Sequence, residues 1–222
     1  MGIGIGGDEM NRVLASIAGI IFLLAGIYDC YDSERHGKRR LKPFLMPLLT
    51  VFYVSSADQI SLLVTAGLLL GGLGDTLLIH KQNRKALLGG TAAFLAGHLC
   101  YVLRFLQDFR WGAFPEWIIP VLLGYAVYAA VFAPKLFPHV DQKLLPPVIV
   151  YMIGLLGMSI LAFLRLSTGE DAGRVLVWIG SLCFVVSDTI LSFSIFAKGS
   201  HCGVMETYLA AQVLITIGFL HA

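Results

Sequence analysis

Asp75 and Asp188 each lie near the end of an apolar stretch long enough to cross a bilayer. They stand in matching frames, Asp75-Thr76-Leu77-Leu78 and Asp188-Thr189-Ile190-Leu191. An ionisable side chain at such depth is costly and marks functional ground by default. Two of them, similarly framed, predict an acid/base pair, with one carboxyl to give a proton and one carboxylate to stabilise positive charge or activate water. Other polar residues fall at same-face spacings: His98 and Tyr101 three apart, Tyr208 and Gln212 four apart. With Lys42 they predict a polar pocket that holds the aspartates inside, hydrogen-bonding groups around them and a cation at the mouth.

The elements that position these residues follow from composition. Apolar residues make up 57% of the chain and charged ones 14%, about half the charged share of soluble domains. Uncharged stretches recur at 13–28, 41–55, 60–79, 86–107, 117–133, 144–164, 175–196 and 204–221. Each is near the length that crosses ~30 Å of hydrocarbon as a helix. The expected fold is therefore all-α, a polytopic membrane bundle of eight transmembrane helices forming one integral membrane domain over residues 1–222. Little chain is left for a soluble domain, and nothing in the sequence predicts a nucleic-acid partner.

The second stretch is short and carries Pro43 and Pro47, but charge argues that it spans. Arg35, Lys38, Arg39, Arg40 and Lys42 precede it, and Lys81, Arg84 and Lys85 follow the third stretch. Basic loops stay cytoplasmic, so an even number of crossings separates the two clusters. The odd-numbered loops, with Lys42 at the edge of the first, carry eleven of the sixteen Lys and Arg residues. Both termini are then expected outside the cytoplasm, in a bacterial inner membrane or, in a eukaryote, the endoplasmic reticulum. The first helix has no small-residue cleavage site and reads as an uncleaved span.

Depth relates the two aspartates. The third and seventh stretches run in the same direction, and Asp75 and Asp188 fall roughly 6–12 Å inside the cytoplasmic boundary at 1.5 Å per residue. Gly67, Gly71 and Asp75 form a small-residue stripe that favours close helix contact. Ser181, Asp188 and Ser192 form a polar stripe on the seventh stretch. The four cysteines are scattered without metal or redox spacing, and Cys100 and Cys183 are expected as buried thiols. His98 is the histidine deep inside a span, and no set of three ligands is offered plainly for a metal. Tyr151 reads as core.

These residues carry a family likeness. The blocks Lys42-Pro43-Phe44-Leu45-Met46-Pro47, Gly74-Asp75-Thr76-Leu77-Leu78, Gly97-His98-Leu99-Cys100-Tyr101, Phe184-Val185-Val186-Ser187-Asp188 and Thr207-Tyr208-Leu209-Ala210-Ala211-Gln212 resemble, in order, those of the lysoplasmalogenase family of multi-pass membrane proteins. The likeness runs from about residue 40 onward. It departs after the second aspartate, where the family often has Asn-Lys-Phe and this chain has Ser194-Ile195-Phe196. The loss of that cation bears on headgroup preference.

What the resemblance implies is hydrolysis of the alkenyl ether of a lysoplasmalogen, a lysophospholipid, to a fatty aldehyde and a glycerophospho-alcohol. Asp75 and Asp188 would be catalytic, and Lys42, His98, Tyr101, Tyr208 and Gln212 would bind substrate. A vinyl ether is cleaved by protonating its β-carbon and capturing the oxocarbenium ion with water, demands like those of glycoside hydrolysis. Two carboxyls meet them with no metal or organic cofactor. Other classes stay open at this point. The same pair could relay protons or cations in a small transporter, with the shared Asp-Thr-x-Leu frame as the trace of a parallel repeat, or the polar stripes could be helix glue in a lipid-binding scaffold.

Overall fold

The computed structural model describes residues 5–36, 41–109, 117–169 and 171–221. Among them are eight α-helices and no strand: α1 (Ile5–His36), α2 (Lys42–Ser56), α3 (Leu62–Leu78), α4 (Arg84–Asp108), α5 (Ile118–Leu136), α6 (Leu145–Leu164), α7 (Ala172–Phe196) and α8 (Val204–Leu220). They coincide with the eight apolar stretches, α1 running well beyond its expected ends. Five of them, α1 and α4 to α7, are long and apolar enough to cross a membrane, while α3 and α8 are shorter apolar helices. Lys38, Arg39 and Arg40 of the first basic cluster lie outside the described residues.

Polarity is distributed as a bilayer requires. Ile20, Leu24, Leu73, Leu103, Ile119 and Ile153 are exposed, whereas Asp29, Asp75, His98, Asp188, Gln212 and Thr216 are buried. An apolar exterior over polar internal contacts is costly in water and favourable in lipid.

The chain divides into two compact units, Met1–Cys100 and Tyr101–Ala222, the division falling within α4. In the first unit, α2 begins with Pro43 in its opening turn, where a missing N–H costs nothing. The Asp29 carboxylate of α1 accepts from Leu41 N at 3.1 Å and ties down the approach to α2. Ser61 caps α3, its side chain accepting from Val64 N. The Tyr53 hydroxyl accepts from Ser61 N at 3.1 Å.

Close approach of α3 and α4 depends on glycine. A methyl group at Gly97 would lie 3.2 Å from Gly67 O, one at Gly90 would lie 3.3 Å from Gly74 O, and one at Gly74 would collide with the Phe94 ring at 2.6 Å. The contacts pair Gly67 with Gly97 and Gly74 with Gly90, an antiparallel seam with a seven-residue step.

In the second unit α7 and α8 meet in the same way. A methyl at Gly173 would lie 2.5 Å from Gly218 O, and one at Gly180 would lie 2.9 Å from Ala211 O. Ser187 Oγ donates to Val204 O at 2.9 Å. The three pairs again step by seven in opposite directions, the period of a coiled-coil seam. Phe184 meets Tyr208 edge-on beside this line, with ring centroids 5.5 Å apart. Deeper in the unit, Ser159 bonds both the Tyr125 hydroxyl at 2.7 Å and Ser181 Oγ at 2.8 Å. This ties α5, α6 and α7 together through polar groups that would otherwise be orphaned.

Candidate active site

Asp75 sits one residue past the seam glycine Gly74, so its side chain turns from α4 toward α2. There Lys42 Nζ lies 3.0 Å from Asp75 Oδ1, with the two side chains only 6% and 1% exposed. The sequence reading put Lys42 at a pocket mouth; the structure buries its ammonium against a carboxylate. The reason is local. Asp29 anchors Leu41 N, which fixes the first turn of α2, and Gly72 lets α3 close onto Met46 and Pro47, where a methyl would meet Met46 Cβ at 3.0 Å. Asp29 and Asp32 are themselves buried. Sequence reading passed over both because they sit at the far end of a generic first helix.

Asp188 repeats the arrangement with a different partner. It follows the seam residue Ser187 and turns from α8 toward α6, where the Tyr151 hydroxyl donates to Asp188 Oδ2. The adjacent Thr189 hydroxyl bonds Tyr128 of α5. A cavity of about 50 Å³ lies here, lined by Tyr128, Phe132, Tyr151, Asp188, Thr189 and Ser192 among others. Its polar lining is neutral apart from Asp188. Tyr151, expected as core, is thus a direct partner of the carboxyl. Depth arithmetic would have found it, since Tyr128, Tyr151 and Asp188 all lie six to eight residues from the ends of α5, α6 and α7, roughly 9–12 Å along each helix.

The two units therefore share one local plan. In each, an aspartate follows the second of two small residues seven apart, Gly67 and Gly74 or Gly180 and Ser187, and is met by a residue of the preceding helix. The plan is the same and the partner is not: a cation in one unit, a phenol in the other.

The remaining candidates are buried. Tyr101 donates to Gln212 Oε1 at 3.2 Å, and Gln212 Nε2 donates to the Tyr208 hydroxyl at 3.5 Å. The structure thus brings Tyr101, Tyr208 and Gln212 together, with the amide held at both ends. His98 is 1% exposed on α4, one turn before Tyr101. Ser181 serves the α5–α6–α7 tie, while Ser192 lines the Asp188 cavity. Cys100 and Cys183 are half-buried, not fully buried as expected, because each lies beside the packed face of its helix.

A charged group that sequence reading missed closes one end of the second unit. Arg165, 1% exposed, bonds Asp108 at 2.6 Å while its guanidinium lies 5.0 Å from the Phe105 ring centroid and 5.4 Å from that of Phe219. Arg104 reaches the same carboxylate at 2.5 Å. A charge-assisted bond and two aromatic faces make burial of the guanidinium tolerable.

Comparison with known proteins gives a consistent picture. A family model described as the YhhN family matches residues 38–219. The chain is 30% identical over 200 residues to a Mycobacterium bovis protein named lysoplasmalogenase, covering 84% of this chain and 73% of that protein. It is 30% identical over 179 residues to the human lysoplasmalogenase TMEM86B, covering 78% and 70%. The pig protein of the same name is 31% identical over 201 residues, covering 89% and 80%. No solved structure matches the chain.

Proposed function

The chain belongs to the YhhN family, and we propose from that premise that it is a multi-pass membrane hydrolase cleaving the vinyl ether of lysoplasmalogens. The observation that carries the mechanism is the unequal pairing of two aspartates in one repeated frame. The reaction needs one carboxyl that gives a proton and one carboxylate that stays charged. Divergent surroundings are how a site assigns two such roles to two like groups.

Asp75 is the standing carboxylate, because the buried Lys42 ammonium at 3.0 Å compensates its charge. Asp188, which shares its cavity with the hydroxyls of Tyr128, Tyr151, Thr189 and Ser192, is assigned the acid. Asp188 gives its proton to the β-carbon of the enol ether. The positive charge then spread over the α-carbon and ether oxygen calls for a standing carboxylate, the role this reading gives Asp75. Water adds at the α-carbon, a proton returns to Asp188, and the hemiacetal separates into a fatty aldehyde and the glycerol hydroxyl. Atoms balance with one water consumed, and no step calls for a metal.

Tyr151 positions Asp188 through its hydroxyl. Tyr101, Tyr208 and Gln212 form a connected set suited to ordering water or glycerol oxygens, and His98 is the further substrate-binding residue of this reading. Lys42 serves Asp75 first, and the substrate phosphate contact expected of it competes with that ion pair. All eight helices span, α2 included, with both termini outside the cytoplasm; the basic loops support this orientation.

The test is direct. Protein purified in detergent is given a lysoplasmalogen and, separately, its ester-linked counterpart, and free aldehyde is measured. Aldehyde from the vinyl ether alone supports the reading. Substrate-dependent flux of protons or cations across sealed vesicles, without aldehyde, would replace it with transport.

A further inference from the structure

A second void in the same unit runs along α5 and α7. It is an apolar groove of about 330 Å³ whose walls include Val121, Gly124, Tyr125, Tyr128, Trp178 and Leu182. Two hydrogen bonds cross between the helices here: Trp178 Nε1 donates to the Tyr125 hydroxyl at 3.3 Å, and Tyr128 bonds Thr189. Tyr128 lines both this groove and the Asp188 cavity. One phenol ring is therefore the shared wall between a small polar void holding a carboxyl and a larger apolar one.

We infer that the α5–α7 groove receives the single hydrocarbon chain of the substrate and sets its length preference, an inference that rests on the proposed vinyl ether hydrolysis. Continuity with Asp188 is what distinguishes this groove from the rest of the lipid-facing surface. A chain leaving the reacting double bond at Asp188 passes Tyr128 and enters a trough that continues along α5 toward Val121, about 10 Å at helical rise. Size agrees. An apolar cavity of ~150 Å³ takes benzene, so one about twice as large takes roughly a dozen carbons.

Gly124 makes the inference testable without disturbing the fold. A methyl there would meet nothing within 4 Å, and the same holds for Gly157 on α6. Gly124→Leu therefore fills the groove, and Gly157→Leu adds the same bulk to open space elsewhere. Both variants and the unaltered protein are labelled with an ester-linked lysophosphatidylcholine carrying a photoreactive diazirine in its tail, a readout that needs no turnover.

Labelling is expected on residues 121–128 and 178–186, lowered about tenfold by Gly124→Leu and unchanged by Gly157→Leu. Labelling spread evenly over exposed positions such as Leu103, Ile119 and Ile153 would overturn the inference. In turnover, Gly124→Leu is expected to lower kcat/KM for long-chain vinyl ethers about tenfold more than for short ones; equal losses would overturn it as well. Absence of aldehyde from every variant defeats the hydrolysis reading, and the labelling pattern still decides the groove.

Discussion

Lys42 Nζ lies 3.0 Å from Asp75 Oδ1 with both side chains almost wholly enclosed. A buried pair of this kind contributes little net stability compared with an apolar pair of the same shape, but breaking it strands a charge. Lys42→Met is expected to cost about 3–5 kcal/mol, read as a lowered midpoint of thermal unfolding in detergent. It is also expected to lower kcat and kcat/KM together. A rise in KM alone would return Lys42 to contact with the substrate phosphate.

Asp75→Asn and Asp188→Asn each keep the shape of the side chain while removing the carboxyl proton and the charge. Each is expected to lower turnover at least ~10²-fold, the low end of acid/base contributions, measured as aldehyde release. A variant with near-normal rate removes its residue from the mechanism.

Tyr151 separates positioning from chemistry. Tyr151→Phe removes the hydroxyl that donates to Asp188 and is expected to lower kcat about tenfold with KM unchanged. Tyr151→Lys places a cation on the acid and is expected to lower kcat at least ~10²-fold. Equal rates in the two variants would show that the charge beside Asp188 is immaterial.

The seam between α7 and α8 predicts stability without reference to the reaction. A methyl at Gly180 would lie 2.9 Å from backbone of α8, whereas one at Gly157 meets nothing within 4 Å. Gly180→Ala is expected to destabilise by about 1–3 kcal/mol. Gly157→Ala gains helix propensity instead, up to about 1 kcal/mol. Thermal unfolding of the two variants side by side checks the contrast.

The helices were legible because apolar runs of span length have few alternative structures, and all eight stretches recur as helices. The aspartates were legible because charge in such a run is conspicuous. What could not be read was partnership. Tyr151 looks like any core aromatic until α6 packs beside α7, and Asp29 looks like the end of α1 until its carboxylate is found on Leu41 N. Lys42 was visible as a cation, but its direction depends on Gly72 letting α3 close upon α2. Spacing along one helix gives faces; which face meets which is settled by contacts far apart in sequence.

The repeated plan of the two units bears on how such a chemistry is acquired. A symmetrical ancestor with identical halves would present either two lysines or two tyrosines to its aspartates. Two alike carboxyls would then have no difference in surroundings to fix which of them holds the proton. The two partners do not fall at matching places: Lys42 opens α2, whereas Tyr151 lies nearly two turns into α6. What distinguishes the two aspartates lies outside the conspicuous Asp-Thr frames, which are alike, in neighbours reached from different places on the helices before them.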